Sequence, residues 1–386
     1  MKARLLICMC GALAVFTNKG FASPWSIEPH VGASSEYASN PELRAVKPKS
    51  ERHLAALFDV PVRYDGDDIQ LELTPSGRYS DSSGYSSISS NYEHLDASAK
   101  HLSELGALTL QGKLARDSSL FDNGRASNGI GVRRDAASAT VDWTRSVSER
   151  VQSDLQAGWF HTRYDQPPNA TSLTDNRYVS LNPSLIYSAN ERTSFRILSG
   201  FGQYKSLDGF TESKSESLQL GFEREWTEIW SLSASAGASR SRNSYNFFFG
   251  TFQKNQNGAT YSATLTRHGE RITFKSSVSR ALQPTGFAFL ARQDRFSLDA
   301  AFQRSERLAF GVAGAWQKER EPQFGGLESD QHYFSAQLTA DWHYTPDWIF
   351  SLRASRYSRT YGPPSVSSAS SGISLEFHRR FLRIDL

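Results

Sequence analysis

A regular alternation of apolar and polar residues on both sides of a short turn is the feature that most constrains this chain. In residues 139–159, ATVDWTRSVSERVQSDLQAGW, Val141 and Trp143 alternate with polar residues before the turn at 148–150. The alternation resumes after the turn and includes Leu155 and Trp159. Successive side chains of a strand point to opposite faces, so each segment predicts a strand with one apolar face. Two such strands around a polar turn predict a β-hairpin, and its apolar face must pack against something apolar.

Similar hairpins recur along the chain, roughly every forty residues, which indicates a repeated supersecondary unit. The turn Ser148-Glu149-Arg150 has counterparts at 190–192, 269–271 and 305–307, each ending in Glu-Arg. Four more tight turns fit the series: 65–67, 103–106, 227–228 and 345–347. Longer polar segments separate the hairpins, among them 80–91, 120–135, 165–176 and 242–257.

Long strands joined alternately by tight turns and long loops are typical of an outer-membrane barrel. A β-propeller has a similar period but divides it into four short strands. The pattern predicts an all-β fold, a transmembrane antiparallel up-and-down β-barrel of about 18 strands. Its apolar face contacts lipid and its polar face lines a wet lumen. The predicted strands begin near Trp25, Arg52, Asp68, Tyr92, Ala107, Ala136, Val151, Arg177, Thr193, Ser215, Trp230, Gly258, Arg271, Gln293, Leu308, Gln331, Ile349 and Gly372.

The N-terminus predicts a secretory signal peptide over residues 1–22, followed by the barrel over 23–386. Lys2 and Arg4 precede a short apolar run, and Ala22 is the expected cleavage position. Both cysteines, Cys8 and Cys10, lie in this peptide, and a cysteine-free secreted chain fits a Gram-negative envelope. The peptide also contains three of the 43 basic residues, so those that remain equal the 40 acidic residues. This balance provides no basic surface for nucleic acid.

Two features predict contacts with the outer membrane and its assembly system. Seven tryptophans near strand ends predict interfacial girdles that touch lipid and lipopolysaccharide: Trp143, Trp159, Trp226, Trp230, Trp316, Trp342 and Trp348. The C-terminal sequence Phe381–Leu386 resembles the terminal strand signal that the barrel assembly machinery recognises, although it ends in Leu. The apolar parity changes beyond Arg380, which predicts either a bulge near 379–380 or a tail that is not a strand.

No catalytic residue, metal site or cofactor site is predicted, and the chain is expected not to be an enzyme. The predicted site is instead the lumen, where alternation directs charged residues of both signs inward. They form either a mutually neutralising ladder or a selectivity lining. The predicted pore-lining residues are Arg63, Arg78, Arg196, Lys275, Arg295, Arg353, Glu72, Glu223, Asp299 and Asp341.

An aromatic cluster in one predicted outside loop suggests a gate. Residues 245–252 read YNFFFGTF, and exposed loops rarely contain so many aromatic side chains. We expect this loop to fold into the barrel mouth. The gate residues would be Tyr245, Phe247, Phe248, Phe249 and Phe252.

The segment from Val31 to Asp81 resembles a family of β-barrel porins in proteobacterial envelopes. The shared features are a first strand, the residues Tyr37, Ser39, Asn40 and Pro41 in a short loop, and a Tyr-containing turn into the next strands. Members of this family often accompany exopolysaccharide gene clusters. The resemblance implies a channel that exports an exopolysaccharide or other surface polysaccharide together with periplasmic export components. The alternatives are a general or substrate-selective diffusion porin, or a plugged structural barrel.

Overall fold

Antiparallel strands form one sheet that closes on itself, as the sequence predicts. The computed structural model describes residues 24–41, 43, 48–83, 91–118, 132–165, 173–248, 250–284, 290–321, 329–362 and 365–385. The predicted signal peptide and the terminal Leu386 lie outside these residues. Within the described ranges, no helix is long and apolar enough to cross a membrane.

Twenty-one strands make up this sheet. In chain order they are β1 (Trp25–Ile27), β2 (His30–Ala38), β3 (Glu51–Asp59), β4 (Val62–Asp65), β5 (Ile69–Ser83), β6 (Tyr92–Ser103), β7 (Gly106–Ser118), β8 (Arg133–Ser148), β9 (Val151–Asp165), β10 (Asn176–Asn190), β11 (Thr193–Ser206), β12 (Thr211–Thr227), β13 (Trp230–Phe247), β14 (Gly250–His268), β15 (Ile272–Pro284), β16 (Leu290–Ser305), β17 (Leu308–Glu321), β18 (Ser329–Thr345), β19 (Trp348–Tyr361), β20 (Val366–Arg380) and β21 (Ile384–Asp385).

Three short strands continue longer ones, so eighteen strands cross the barrel wall. β4 continues β3 beyond Pro61, because both pair with β5 in a single register. β1 precedes β2 and pairs with β4 on one side and β21 on the other. The barrel closes where β20 pairs with β2, from His30 opposite Arg380 to Ala38 opposite Gly372. The predicted closed barrel of eighteen strands is therefore confirmed.

A bulge in the last crossing strand explains the parity change near the C-terminus. His30 lies opposite Arg380, whereas Ile27 lies opposite Ile384. The last strand therefore contains one residue more than the first strand over this interval, and one extra residue reverses the faces of all later side chains. Of the two predicted explanations, the bulge is the one that the structure shows.

All eight tight turns lie where the sequence predicts them, at one end of the barrel, which we call the turn end. The opposite end, the loop end, includes the predicted loops at 80–91, 120–135 and 165–176, most of whose residues lie outside the described ranges. Bacterial barrels have their short turns in the periplasm. The turn end is accordingly the expected periplasmic end.

The prediction of a loop at 242–257 is wrong, because two strands continue through this segment. β13 extends to Phe247 and β14 begins at Gly250, and they pair from Phe247 opposite Gly250 to Trp230 opposite Arg267. Outward positions beyond Ala238 are Arg240 and Arg242, so the apolar alternation stops although the backbone pairing does not. Tyr245, Phe247 and Phe252 therefore belong to a regular hairpin, with Phe248 and Phe249 between its strands.

An apolar belt surrounds the outer face of the barrel. Large apolar side chains that alternate with polar ones are exposed there, among them Leu54, Leu73, Leu114, Val141, Ile197, Leu220, Phe296, Val312, Leu338 and Leu375. Trp143, Trp226 and Trp342 are exposed close to the tight turns, while Trp159 and Trp316 lie in the loop-side half. This distribution agrees with aromatic girdles at both edges of the belt.

The orientation of the barrel can be tested by thiol labelling in intact cells. Phe248 at the hairpin tip is fully exposed, whereas Glu149 lies in a tight turn. A cysteine at Phe248 should react with a membrane-impermeant maleimide, and a cysteine at Glu149 should react only after permeabilisation. The reverse labelling pattern would show that the barrel has the opposite orientation in the membrane.

A second prediction concerns the closing seam. Removing residues 384–386 should leave one side of β1 unpaired and lower the amount of heat-modifiable barrel in the outer membrane, because open sheet edges are costly beside lipid. The double substitution Ile384→Ala with Asp385→Ala keeps the backbone and serves as the control. Equal amounts of folded barrel from the truncated and the control chains would contradict this role for β21.

Candidate functional site

The lumen wall is polar because the polar residues of each strand alternate with the apolar residues of its outward face. Strand register places the ten predicted pore-lining residues on this inward face. Arg63 in β4 lies directly opposite Glu72 in β5, and Lys275 in β15 lies opposite Asp299 in β16. The sequence alternation therefore predicted the facing of these side chains correctly, while their role in transport stays a prediction.

Four of the six predicted cations have a carboxylate partner on the wall. The Arg63 Nε atom is 3.4 Å from Glu72 Oε1, and Arg196 Nη2 is 3.8 Å from Glu223 Oε2. Arg353 Nη1 donates to Glu376 Oε1 at 2.9 Å, and Arg78 Nη2 donates to Glu36 Oε2 at 3.0 Å. These pairs support the interpretation of the lining as a mutually neutralising ladder.

The remaining two cations, Lys275 and Arg295, are exposed, and neither has an ion-pair partner among the described residues. Lys275 and Asp299 lie along a groove of about 630 Å³, where the small side chains of Ala301, Gly311 and Ala313 leave room. Arg295 lies in register between Ser279 and Gln317. The wall is therefore not neutralised everywhere, and these two cations face the lumen directly.

Asp341 behaves differently, because it is bound to the wall. Its Oδ1 atom accepts a hydrogen bond from Ser351 Oγ at 2.6 Å. Ser351 is itself buried. Asp341 is thus less available to a solute than Asp299, which is exposed.

A second groove, of about 430 Å³, lies on the wall between β5 and β8. Glu72, Asp96 and Lys113 are among its lining residues. Lys113 Nζ is 3.3 Å from Asp96 Oδ1, and the two side chains remain 48% and 47% exposed. Their exposure shows that this level of the lumen is open.

Many inward-facing residues of the loop-side half of the barrel are buried. Inward-facing residues there are buried around almost the whole circumference, including His53, Asp117, Asn176, Tyr204, Ser213, Asn243, Gln293, Gln317, Tyr333, Arg359 and Ser370. A wall residue that faces open water is exposed to solvent. These residues are buried, so other protein atoms cover them at this level of the barrel. The wall is more accessible at Glu72, Lys275 and Asp299 than at these buried positions. We call the turn-side part of the lumen that includes these exposed residues the vestibule.

Two buried networks stiffen the loop-side half. Gln331 Oε1 accepts hydrogen bonds from Tyr333 Oη at 2.7 Å and from Arg359 Nη2 at 3.0 Å. On the other side of the barrel, Arg134 binds Asp117 through two bonds of 2.9 Å. Sequence reasoning missed these residues as site residues. Their inward parity was visible, but their burial depends on what covers them in the folded barrel.

The aromatic hairpin has one buried residue and one fully exposed residue. Tyr245 is 6% exposed, and its ring centroid is 6.4 Å from that of Phe210. Phe252 pairs with Tyr245 but is 52% exposed, and Phe248 is 100% exposed. Phe249 and the side chain of Phe247 lie outside the described residues. The segment is a hairpin rather than an inward loop, and its role as a gate stays a prediction.

Within the described residues, no group of three or more His, Cys, Asp or Glu side chains could hold a metal ion. The site is therefore described by its charges, its ion pairs and its two grooves.

Comparisons with known proteins find likenesses among structures alone. No family model matches the chain, and no curated protein sequence matches it. Among solved structures, Pseudomonas aeruginosa OccK2 (OpdF) in complex with glucuronate is 13% identical, with a TM-score of 0.49 over 94% of this chain and 100% of that chain. The Pseudomonas aeruginosa outer membrane protein OpdK is 12% identical, with a TM-score of 0.49 over 93% and 99%. Acinetobacter baumannii OccAB4 is 11% identical, with a TM-score of 0.48 over 92% and 98%.

The difference in exposure between the two halves of the lumen predicts how fast engineered cysteines react. A cysteine at Lys113, in the open groove, should react quickly with a small charged methanethiosulfonate in the purified barrel. A cysteine at Ser241, an inward residue that is fully buried, should react about tenfold or more slowly, because thiol reactivity requires access. Equal rates, measured by mass spectrometry on barrels with unchanged heat-modifiability, would contradict the burial of the loop-side wall.

Proposed function

We propose that this protein is a channel of the bacterial outer membrane through which small polar or charged solutes diffuse. The observation that carries the proposal is the lumen itself, an open charged vestibule that leads into a half whose inward residues are buried. An eighteen-stranded barrel is wide enough for an aqueous passage. Narrowing by protein at one level turns such a passage into a filter for size and charge.

The apolar belt supports a location in a membrane. Exposed Leu, Val, Ile and Phe side chains cover the outward face, and the tight turns meet the Trp-rich edge of the belt. A closed barrel leaves no backbone group unpaired toward lipid. The proposed compartment is the outer membrane, since bacterial barrels with short turns and longer loops occur there.

The unpaired cations of the lumen wall support selection by charge. Fixed charges near a low-dielectric wall focus the electric field along a lumen. Lys275 and Arg295 have no carboxylate partner among the described residues, unlike Arg63 or Arg353. They are the side chains whose reversal should change ion selectivity most.

Export of an exopolysaccharide is the competing proposal, and it rests on the resemblance near Tyr37–Pro41. A polymer chain needs clearance along the whole passage. The burial of wall residues in the loop-side half leaves less room there than in the vestibule, and this favours a diffusion channel for small solutes. The third reading, a plugged structural barrel, predicts no conductance.

Planar-bilayer recording of the purified barrel tests the proposed channel. Reversing both unpaired cations, Lys275→Glu with Arg295→Glu, should shift the permeability ratio toward cations by about two- to tenfold, because the focused field changes sign. The control is Arg224→Glu, an exposed outward residue near the turn end. An absence of conductance in every protein would favour the plugged barrel, and an equal shift in the control would contradict a role for the lumen wall.

Liposome swelling separates the two channel proposals with the same purified protein. Monosaccharides should enter, and oligosaccharides of increasing length should be excluded. Passage of long oligosaccharides at rates close to those of monosaccharides would instead support polymer export.

A further inference from the structure

A two-row cluster of charged side chains lies on the outward face, just beyond the apolar belt at the loop end. The belt ends there with a row of exposed apolar residues that pair in register: Val278, Phe296, Trp316 and Phe334. Two positions further along each strand, on the same face, the register aligns Arg280, Asp294, Lys318 and His332. The outward side chains therefore change from apolar to ionisable between two successive outward positions of each strand.

A second charged row follows on the same strands. Here the register places Arg292 opposite Arg320 and Arg320 opposite Asp330. The two rows together contain the permanent cations Arg280, Arg292, Lys318 and Arg320, against the carboxylates of Asp294 and Asp330. The cluster therefore has an excess of positive charge.

The two carboxylates hold some of the cations in place. Asp294 accepts hydrogen bonds from Nε and Nη2 of Arg280, the latter at 2.9 Å. Asp330 pairs with Lys318, and its Oδ1 is 3.7 Å from Arg320 Nε. That Nε atom is buried and has no hydrogen-bond partner among the described residues. Arg320 is thus held near Asp330 by an ion pair that is longer than a hydrogen bond.

Arg292 is held by the backbone instead of by a carboxylate. Its Nη2 atom donates to the carbonyl oxygen of Asn257 at 3.1 Å. Its guanidinium occupies the space that a side chain at residue 258 would fill, which glycine leaves open. The guanidinium keeps its charge and its other donors for a ligand.

Cation–π contacts occur at both ends of the barrel, and within the cluster Arg280 lies over the ring of Tyr261 at 5.3 Å. At the turn end, Arg267 lies over the ring of Trp230 at 5.8 Å, and Arg379 lies over the ring of Trp348 at 4.9 Å. These contacts are typical of single interfacial anchors.

We infer that Arg280, Arg292, Lys318 and Arg320 form a binding site for the phosphate groups of lipopolysaccharide in the outer leaflet. Arginine binds phosphate oxygens in a bidentate manner, and a cluster at the edge of the belt lies at the height of lipid headgroups. The acyl chains of the same molecule would lie against Phe296, Trp316 and Phe334. The inference rests on the proposed outer-membrane location and is independent of what passes through the lumen.

Binding of bisphosphorylated lipopolysaccharide to the purified full-length barrel tests this site by native mass spectrometry. Arg292→Glu with Arg320→Glu should weaken binding by about tenfold or more, since charge-assisted bonds are lost and repulsion is added. The control is Arg224→Glu with Arg304→Glu, two exposed residues near the turn end, which should bind normally. Heat-modifiability and conductance show separately that each variant folds and conducts.

Comparing ligands shows whether the site requires the phosphate groups of lipopolysaccharide. Dephosphorylated lipopolysaccharide should bind the unaltered barrel about as weakly as the intact ligand binds the double variant. Equal binding by the unaltered barrel and the double variant would overturn the inference. So would equal competition by phosphatidylglycerol or by inorganic phosphate, because the cluster would then be a general anion surface.

Discussion

The structure depends on one constraint, that the backbone amides and carbonyls of the sheet must be hydrogen-bonded within the protein, as the proposed location in lipid requires. A sheet meets this constraint only if its first and last strands pair. Here β2 and β20 do so over nine residue pairs, from His30 opposite Arg380 to Ala38 opposite Gly372. The short strands β1, β4 and β21 continue the closure past the bulge. The C-terminal bulge keeps the seam paired although it reverses side-chain parity.

Closure of the sheet separates an outer face from an inner face. In the proposed outer-membrane location, the outer face contacts lipid and the inner face contacts water. Side-chain alternation then assigns each residue to one of them. Carboxylates and guanidinium groups can face inward because water and cross-strand partners are available there, as between Arg63 and Glu72. Outward charges occur beyond the belt, and this is where Arg280 and Asp294 pair. The same alternation thus accounts for the lumen lining and for the outward cluster.

The candidate site follows from differences along the barrel axis rather than around it. Toward the turn end, charged residues such as Lys275 and Glu223 are exposed to the lumen. Toward the loop end, equivalent inward positions such as Asn243 and Tyr204 are fully buried. A passage with this profile is accessible at its charged turn-side wall and covered where its wall is stiffened by buried hydrogen bonds, which is the basis for the proposed filter.

The sequence by itself determined the barrel, its eight turns and the inward facing of residues such as Arg196 and Asp299, because strand period and turn chemistry are local properties. It could not determine where strands end beyond the lipid. Outward residues there need not be apolar, so the segment from Arg242 onward looked like a loop while its backbone continued to pair with β12 and β14. Which lumen charges are paired, and which inward residues are buried, was decided by the tertiary structure alone. Both depend on side chains far apart in sequence that only closure of the barrel brings together.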